Sequence, residues 1–206
     1  MKINYTLGGK NMELKDSKTK INLMRSFAGE SQARNRYNIS ASVAKEQGLY
    51  IIQQVFDYTA NQEKEHAEVF YNFLKECGGT NIDIEGGYPV DIYDTTAKIL
   101  RAAEHNEREE SDKVYIDFAN VAKEEGFTNI SKVFENIAKI ENVHGNRFAS
   151  YAEELESGTL FKKNTDVTWM CTNCGFIIEG KEAPAACPVC KHPQGYFILY
   201  ANSMFE

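Results

Sequence analysis

With 206 residues, 42% of them hydrophobic and 26% charged, the chain has room for one medium domain plus a small one, in proportions ordinary for a globular protein in water. A formal net charge of -7 argues against nucleic acid or an anionic membrane as partner. No apolar run approaches the roughly 18 residues of a spanning helix, and "MKINYTLGGKNMELKD" lacks the apolar stretch of a secretory signal, so the expected compartment is the cytoplasm.

From about Ser17 to Leu155 the chain is rich in Ala, Glu, Lys and Gln and nearly free of proline, which predicts helix throughout. A first helix is predicted over roughly 18–47, stopped by Gly48, and a second over about 50–77, stopped by Gly78 and Gly79. Cys77, at the end of that second helix, reads as a small apolar filler. "GGTNIDIEGGYPVD" follows, with four glycines and a proline, a long connection rather than a tight turn. A third helix is predicted over about 92–125 and a fourth over about 129–156, stopped by Gly126 and Gly158. Two hairpins joined by one long crossover make an all-α four-helix bundle.

The hairpins resemble each other. "VAKEQGLYIIQQVF" (Val43–Phe56) and "VAKEEGFTNISKVF" (Val121–Phe134) match at an offset of 78 residues. The same offset carries Tyr37 onto Tyr115, Glu63 onto Glu141 and His66 onto His144, as an internal duplication would.

Helical spacing puts carboxylates on the apolar stripes. Phe27, Glu30, Arg34 and Tyr37 share a face of the first helix, and Phe56, Thr59, Glu63, His66 and Phe70 a face of the second. Leu100, Ala103, Glu107, Glu110, Val114 and Val121 share one on the third. The fourth offers Val133, Ile137, Ile140, Glu141, His144, Phe148 and Tyr151. Burying an ionised carboxylate without compensation costs several kcal/mol or more, so something inside must compensate. A Glu from each of two helices plus Glu-x-x-His from each of the other two is the ligand set of di-iron and di-manganese carboxylate bundles, and such donors suit those metals. Glu30 precedes Tyr37 by seven residues, whereas Glu107 precedes Tyr115 by eight. If Glu107 is the counterpart of Glu30, the third helix must absorb one residue, as a π-bulge does. Glu104 is the competing carboxylate.

After about Lys163 the character changes, dividing the chain into domains 1–163 and 164–206. The tail is short, rich in Cys, Gly and Pro, with β-type residues at both ends. A domain of about 40 residues seldom folds on apolar burial alone. "CTNC", twelve residues, then "CPVC" supplies four thiolates, Cys171, Cys174, Cys187 and Cys190, and in a reducing compartment this pattern favours metal over disulfides. Spacing alone leaves zinc and iron open. His192 reads as a surface or supporting residue, because four thiolates complete the site.

With these residues assembled, the chain closely resembles the rubrerythrin family over essentially its whole length. The resemblance is carried by "AGESQARNRY" (28–37), "NQEKEHAEVFY" (61–71), "EREESDKVY" (107–115), "IENVHGNRF" (140–148) and the cysteine segment. It implies a ferritin-like bundle with a non-haem di-iron centre and a rubredoxin-like Fe(SCys)4 tail. The implied di-iron ligands are Glu30, Glu63, Glu107, Glu110, Glu141 and His144, with His66 as a further ligand that alternates with Glu110 on reduction. Tyr37 and Tyr115 are implied to hydrogen-bond ligand carboxylates, and with Glu110 and His66 to form the catalytic set. The implied activity is reduction of hydrogen peroxide, with electrons from NAD(P)H through a rubredoxin or partner reductase, in a head-to-tail homodimer. Two departures stand out. The chain reads "NEREES" where the family has G-E-N-x-E-W, with Ser111 in the aromatic's place, and about ten N-terminal residues lie outside the match. A ferritin-like ferroxidase or iron store, or an interaction module on a zinc ribbon, are the rival readings.

Overall fold

The computed structural model describes residues 12–203. Helix α1 (Lys18–Glu46) and helix α2 (Tyr50–Phe73) form the first hairpin. Helices α3 (Thr96–Glu109) and α4 (Tyr115–Glu124) are joined without a break by a π-helical segment, Glu110–Val114, and together pair with α5 (Thr128–Glu156). The four-helix bundle with its crossover at 78–95 is the expected one.

The repeat is visible in backbone detail. α1 and α4 end at Glu46 and Glu124, and α2 and α5 begin at Tyr50 and Thr128. Gly48 and Gly126 adopt left-handed φ values of 74° and 88°, which reverse the chain cheaply only at glycine. The turns then close alike: Leu49 N–H donates to Ala44 O at 2.9 Å, and Phe127 N–H to Ala122 O at 2.8 Å.

Helix starts are capped as well. Ser17 Oγ accepts from Lys20 N–H at 3.0 Å, while the Glu125 carboxylate, from the far hairpin, accepts from Lys18 and Thr19 N–H. The third helix starts at Thr96 rather than near residue 92. Asp91 is held off the helix by Arg36 (2.5 Å) and Asn106 (2.7 Å), and Thr95 takes the cap position instead.

Two apolar cores fill the bundle. One, around Ile52, Phe56, Leu100 and Phe148, lies toward the α1–α2 turn; the other, around Leu23, Phe70, Tyr115 and Phe134, lies toward the far end. Between them α1, α2, α3 and α5 contribute the fully buried carboxylates Glu30, Glu63, Glu107 and Glu141. Two stripe members stay outside: Arg34 is exposed, and Ile140 is 38% exposed. Both sit at the edge of their stripe, where a neighbouring helix no longer covers them. Cys77 is buried in the short 3₁₀ turn that ends the second helix, as a filler would be.

The tail is a three-stranded antiparallel sheet of β1 (Lys162–Cys171), β2 (Ile177–Glu182) and β3 (Phe197–Leu199), in the order β2-β1-β3. Its own core is Trp169, Cys171, Ala183, Cys187 and Phe197. The sheet docks on the α1–α2 turn of its own bundle. Tyr196 stacks on Tyr50 with ring centroids 4.2 Å apart, Gln54 Nε2 donates to Thr172 Oγ1 at 3.0 Å, and Ile198 joins the bundle core. Backbones meet so closely that a Cβ on Gly195 would lie 1.9 Å from Gly48 O.

Candidate metal centres

Inside the bundle, two groups of four residues share a pair of carboxylates. Glu30, Glu63, His66 and Glu141 form one; Glu63, Glu107, Glu141 and His144 form the other, with donor atoms in each group within 4.8 Å of one another. Glu63 and Glu141 each turn one oxygen to each imidazole. His66 Nδ1 lies 3.2 Å from Glu63 Oε2 and 2.9 Å from Glu141 Oε1, while His144 Nδ1 lies 2.9 Å from Glu63 Oε1 and 2.8 Å from Glu141 Oε2. Glu30 adds an oxygen 3.9 Å from His66, and Glu107 one 3.5 Å from His144. The arrangement has near two-fold symmetry, as the duplication requires.

Each unshared carboxylate is held by a tyrosine from the opposite hairpin. Tyr37 Oη donates to Glu107 Oε1, and Tyr115 Oη donates to Glu30 Oε1. The extra residue between Glu107 and Tyr115 is taken up by the π-helical segment, so both tyrosines reach their partners. Glu104 turns away to Arg101 (2.8 Å) and Arg108 (3.0 Å) and takes no part. Glu110 lies outside both four-residue groups, yet it faces the same carboxylates from the first residue of the π segment. The structure therefore brings Glu30, Glu63, His66, Glu107, Glu141 and His144 together, with Glu110 at their edge and His66 on the inside.

The cage fits metal ions by its unmet needs. Glu30 Oε2, Glu107 Oε2, both oxygens of Glu63 and of Glu141, His66 Nδ1 and both nitrogens of His144 are buried without a hydrogen-bond partner of adequate geometry in the protein. Native structures leave few such atoms, and clusters of them call for an ion. The electrostatics agree. Burial, then Glu141 and Glu63, raise Glu30 far above the usual carboxylate range, and burial with neighbouring carboxylates does the same to Glu110. Burial lifts Glu107 to about 8. Glu63 is pushed up by burial but pulled to about 2 by the facing imidazoles, whose own pKa values rise, against burial, to about 10 and 12. A site this hungry for positive charge is suited to two dications, which would displace those protons. Burial also keeps Tyr37 and Tyr115 protonated, and hence donors.

The four cysteines meet in the tail. Cys171 Sγ lies 3.7 Å from Cys190 Sγ, and Cys174 Sγ 3.7 Å from Cys187 Sγ. A disulfide would need about 2 Å, whereas a tetrahedron with metal–sulfur bonds of about 2.3 Å has edges of about 3.8 Å. Each knuckle turns on a left-handed residue, Gly175 (φ 75°) or Lys191 (φ 64°), and the His192 N–H lowers the Cys190 thiol to about 6. The His192 ring packs on Tyr196 and sits near Cys190 O and Asn173, outside the sulfur set. Cys174 is the exposed sulfur.

A family model described as Rubrerythrin matches residues 22–152, and one described as Rubrerythrin, rubredoxin-like domain matches 169–198. The chain belongs to the rubrerythrin family. It is 47% identical to Rubrerythrin of Clostridium perfringens (strain 13 / Type A) over 191 residues, which cover 92% of this chain and 98% of that one. It is 46% identical to Rubrerythrin of Porphyromonas gingivalis (strain ATCC BAA-308 / W83), over 91% of this chain and 92% of that one. Among solved structures, a nigerythrin in its mixed-valence state superposes with a TM-score of 0.60 at 27% identity, covering 97% of this chain and all of that one. The bacterioferritin of Desulfovibrio desulfuricans shares the fold, with a TM-score of 0.60 at 22% identity over 69% of this chain and 82% of that one. As in other rubrerythrins, a candidate di-iron cage and a rubredoxin-like four-cysteine site occur in one chain.

Ser111, where the resemblance implies an aromatic, is a buried residue, its hydroxyl 3.1 Å from Arg108 O. Other supporting residues had no local signal. Arg36 and Asn106 clamp Asp91 of the crossover, and Arg147 reaches from α5 to Thr59 Oγ1 (2.9 Å) and Gln62 Oε1 (3.1 Å) on α2. These partners are 15 to 88 residues apart in sequence, beyond any helical periodicity.

Proposed function

We propose that the protein reduces hydrogen peroxide to water, with electrons entering at the four-cysteine site and spent at the carboxylate cage. The observation that carries this reading is that a donor set suited to redox-active dications and a sulfur tetrahedron suited to single-electron transfer occur in one chain. Each turnover consumes one peroxide, two electrons and two protons and yields two waters. Two ferrous ions, when bound in the cage, supply the reducing equivalents for cleavage of the O–O bond. Glu63 and Glu141, which turn one oxygen to each imidazole, would be the residues shared between the two positions. Tyr37 and Tyr115 keep Glu107 and Glu30 in place, and the apolar cores above and below keep bulk water out. His66 and Glu110 would be alternative partners for one position, a reading supported by a carboxylate standing just outside the cage.

Exposed Cys174 is where a rubredoxin or an NAD(P)H-dependent reductase would deliver electrons in the reducing cytoplasm. Gln54, which touches Thr172, and Glu63 are separated by about 14 Å of helix rise. A head-to-tail homodimer, with one chain's tail beside its partner's cage, would offer a second path. The test is peroxide-dependent NADH oxidation with a donor reductase supplied, alongside metal analysis and a visible spectrum. About three irons per chain and peroxide turnover support the reading. Iron uptake and oxidation without peroxide turnover point to a ferroxidase or store, and one zinc in the tail with an empty cage points to an interaction module.

A further inference from the structure

A partly open cavity of about 210 Å³ lies beside the cage, lined by α1, by the end of α3, by the π segment with the start of α4, and by residues 86–89 of the crossover. Its inner wall includes Glu110 and Tyr115, the latter bound to Glu30. The crossover is pinned beside it by Arg25, which donates to Glu85 O at 3.0 Å, and by the Arg36–Asp91 pair.

Two residues of α1 in this wall are unusual. Ser26 is 3% exposed, and its hydroxyl has no hydrogen-bond partner in the protein. Other serines of the same helix behave differently. Ser31 and Ser40 return their hydroxyls to the carbonyls of Phe27 and Arg36, four residues back, at 2.6 and 2.8 Å. One turn on, Gly29 faces open space, since a Cβ there would meet nothing within 4 Å. Close packing normally fills such space, and an unpaired buried hydroxyl normally finds a partner.

We propose that this cavity is where hydrogen peroxide docks on its way to the cage, with the Ser26 hydroxyl as the group that binds it. Peroxide is small, neutral, and both donor and acceptor, and a serine hydroxyl is both as well. Gly29 leaves the room, and Glu110 forms the wall between docked peroxide and the cage. This assignment rests on the peroxide reading above and adds the binding residue to it.

The experiment compares Ser26→Ala and Gly29→Leu with the wild type, all metal-loaded. Metal content, the visible spectrum and melting temperature are checked first. Two rates are then followed by stopped-flow absorption: azide binding to the oxidised cage, and reoxidation of the reduced cage by peroxide. Leucine at position 29 fills the space and is expected to slow both on the order of tenfold or more. Ser26→Ala removes one hydrogen bond and is expected to slow both about fivefold, with a melting temperature equal to or above that of wild type. A serine kept for packing alone would change neither rate. Wild-type rates for both probes in both variants overturn the proposal. If Gly29→Leu loses metal, Ser26→Ala decides alone. Should wild type reduce no peroxide, the functional reading fails by itself, and the azide rates still decide whether the cavity leads to the cage.

Discussion

His66 and His144 lie face to face across the bundle, ring centroids 5.6 Å apart and planes 16° from parallel, each against one oxygen of Glu63 and one of Glu141. The shared carboxylates therefore belong to both groups at once, whereas each imidazole belongs to one. Glu141→Ala is expected to empty the cage of metal altogether while the tail keeps its own, as read by metal analysis. His66→Ala, with Glu110 beside that position, is expected to retain more cage metal than Glu141→Ala. Equal loss in the two variants would contradict the bridging arrangement.

The tyrosine pair makes a separate claim on stability. Tyr115→Phe leaves Glu30 without the donor that meets it, and Tyr37→Phe does the same to Glu107. Each is expected to cost about 1–3 kcal/mol, the penalty for stranding a buried acceptor. Urea midpoints of the metal-loaded protein measure it.

Glu125 ties the two hairpins through the start of α1, accepting from Lys18 N (2.9 Å), Thr19 N (2.8 Å) and the Thr19 hydroxyl (2.6 Å). Burial alone would raise its pKa, but the Thr19 hydroxyl and the two N–H groups outweigh burial and hold it below the ordinary value. With the folded pKa below the unfolded one, the stabilisation is present above the unfolded pKa and fades as pH falls through the folded one. Glu125→Gln is expected to cost about 1 kcal/mol near pH 7, and the difference from wild type is expected to shrink below about pH 4. Denaturant melts across that range give the curve.

Docking of the tail is steric at one point. Gly195→Ala would put a methyl 1.9 Å from Gly48 O, whereas Gly180→Ala meets nothing nearer than 3.8 Å. The first is expected to destabilise the docked tail by about 1–3 kcal/mol and the second to have much less effect. Limited proteolysis between residues 157 and 162 reports it.

Cys174→Ser is expected to abolish turnover driven by a donor reductase, yet to leave peroxide oxidation of the dithionite-reduced cage intact. Co-expression with Glu141→Ala sharpens this. If one chain's tail serves its partner's cage, mixed dimers recover turnover that neither variant shows alone, and absence of recovery would place the electron path within one chain.

Much of this architecture is legible in the residues themselves. Gly48 and Gly126 announce both hairpin turns, and the 78-residue offset brings Glu63 and His66 into correspondence with Glu141 and His144 before any helix is built. Spacing places Glu30 and Glu107 inside as well, and the one-residue mismatch with their tyrosines anticipates the π segment. The misses have a common cause. Arg34 and Ile140 lie at stripe edges, where covering depends on the neighbouring helix rather than on periodicity. The third helix starts at Thr96 rather than near 92, beside an Asp91 that Arg36, 55 residues earlier, holds in the crossover. Ser26 looks like any helical serine until its surroundings are known.

The π-helical segment Glu110–Val114 has one more consequence. A duplicated gene begins with two interchangeable halves, and a pair of identical positions can only do the same thing twice. One additional residue keeps Tyr115 in phase with Glu30 while the chain between Glu107 and Tyr115 is re-spaced, so the halves stay locked to each other but cease to be copies. On one side stands His144; on the other stand His66 and, at the edge of the cage, Glu110. The asymmetry of the cage thus goes with a change of a single residue in chain length, a kind of difference that substitution counts do not register.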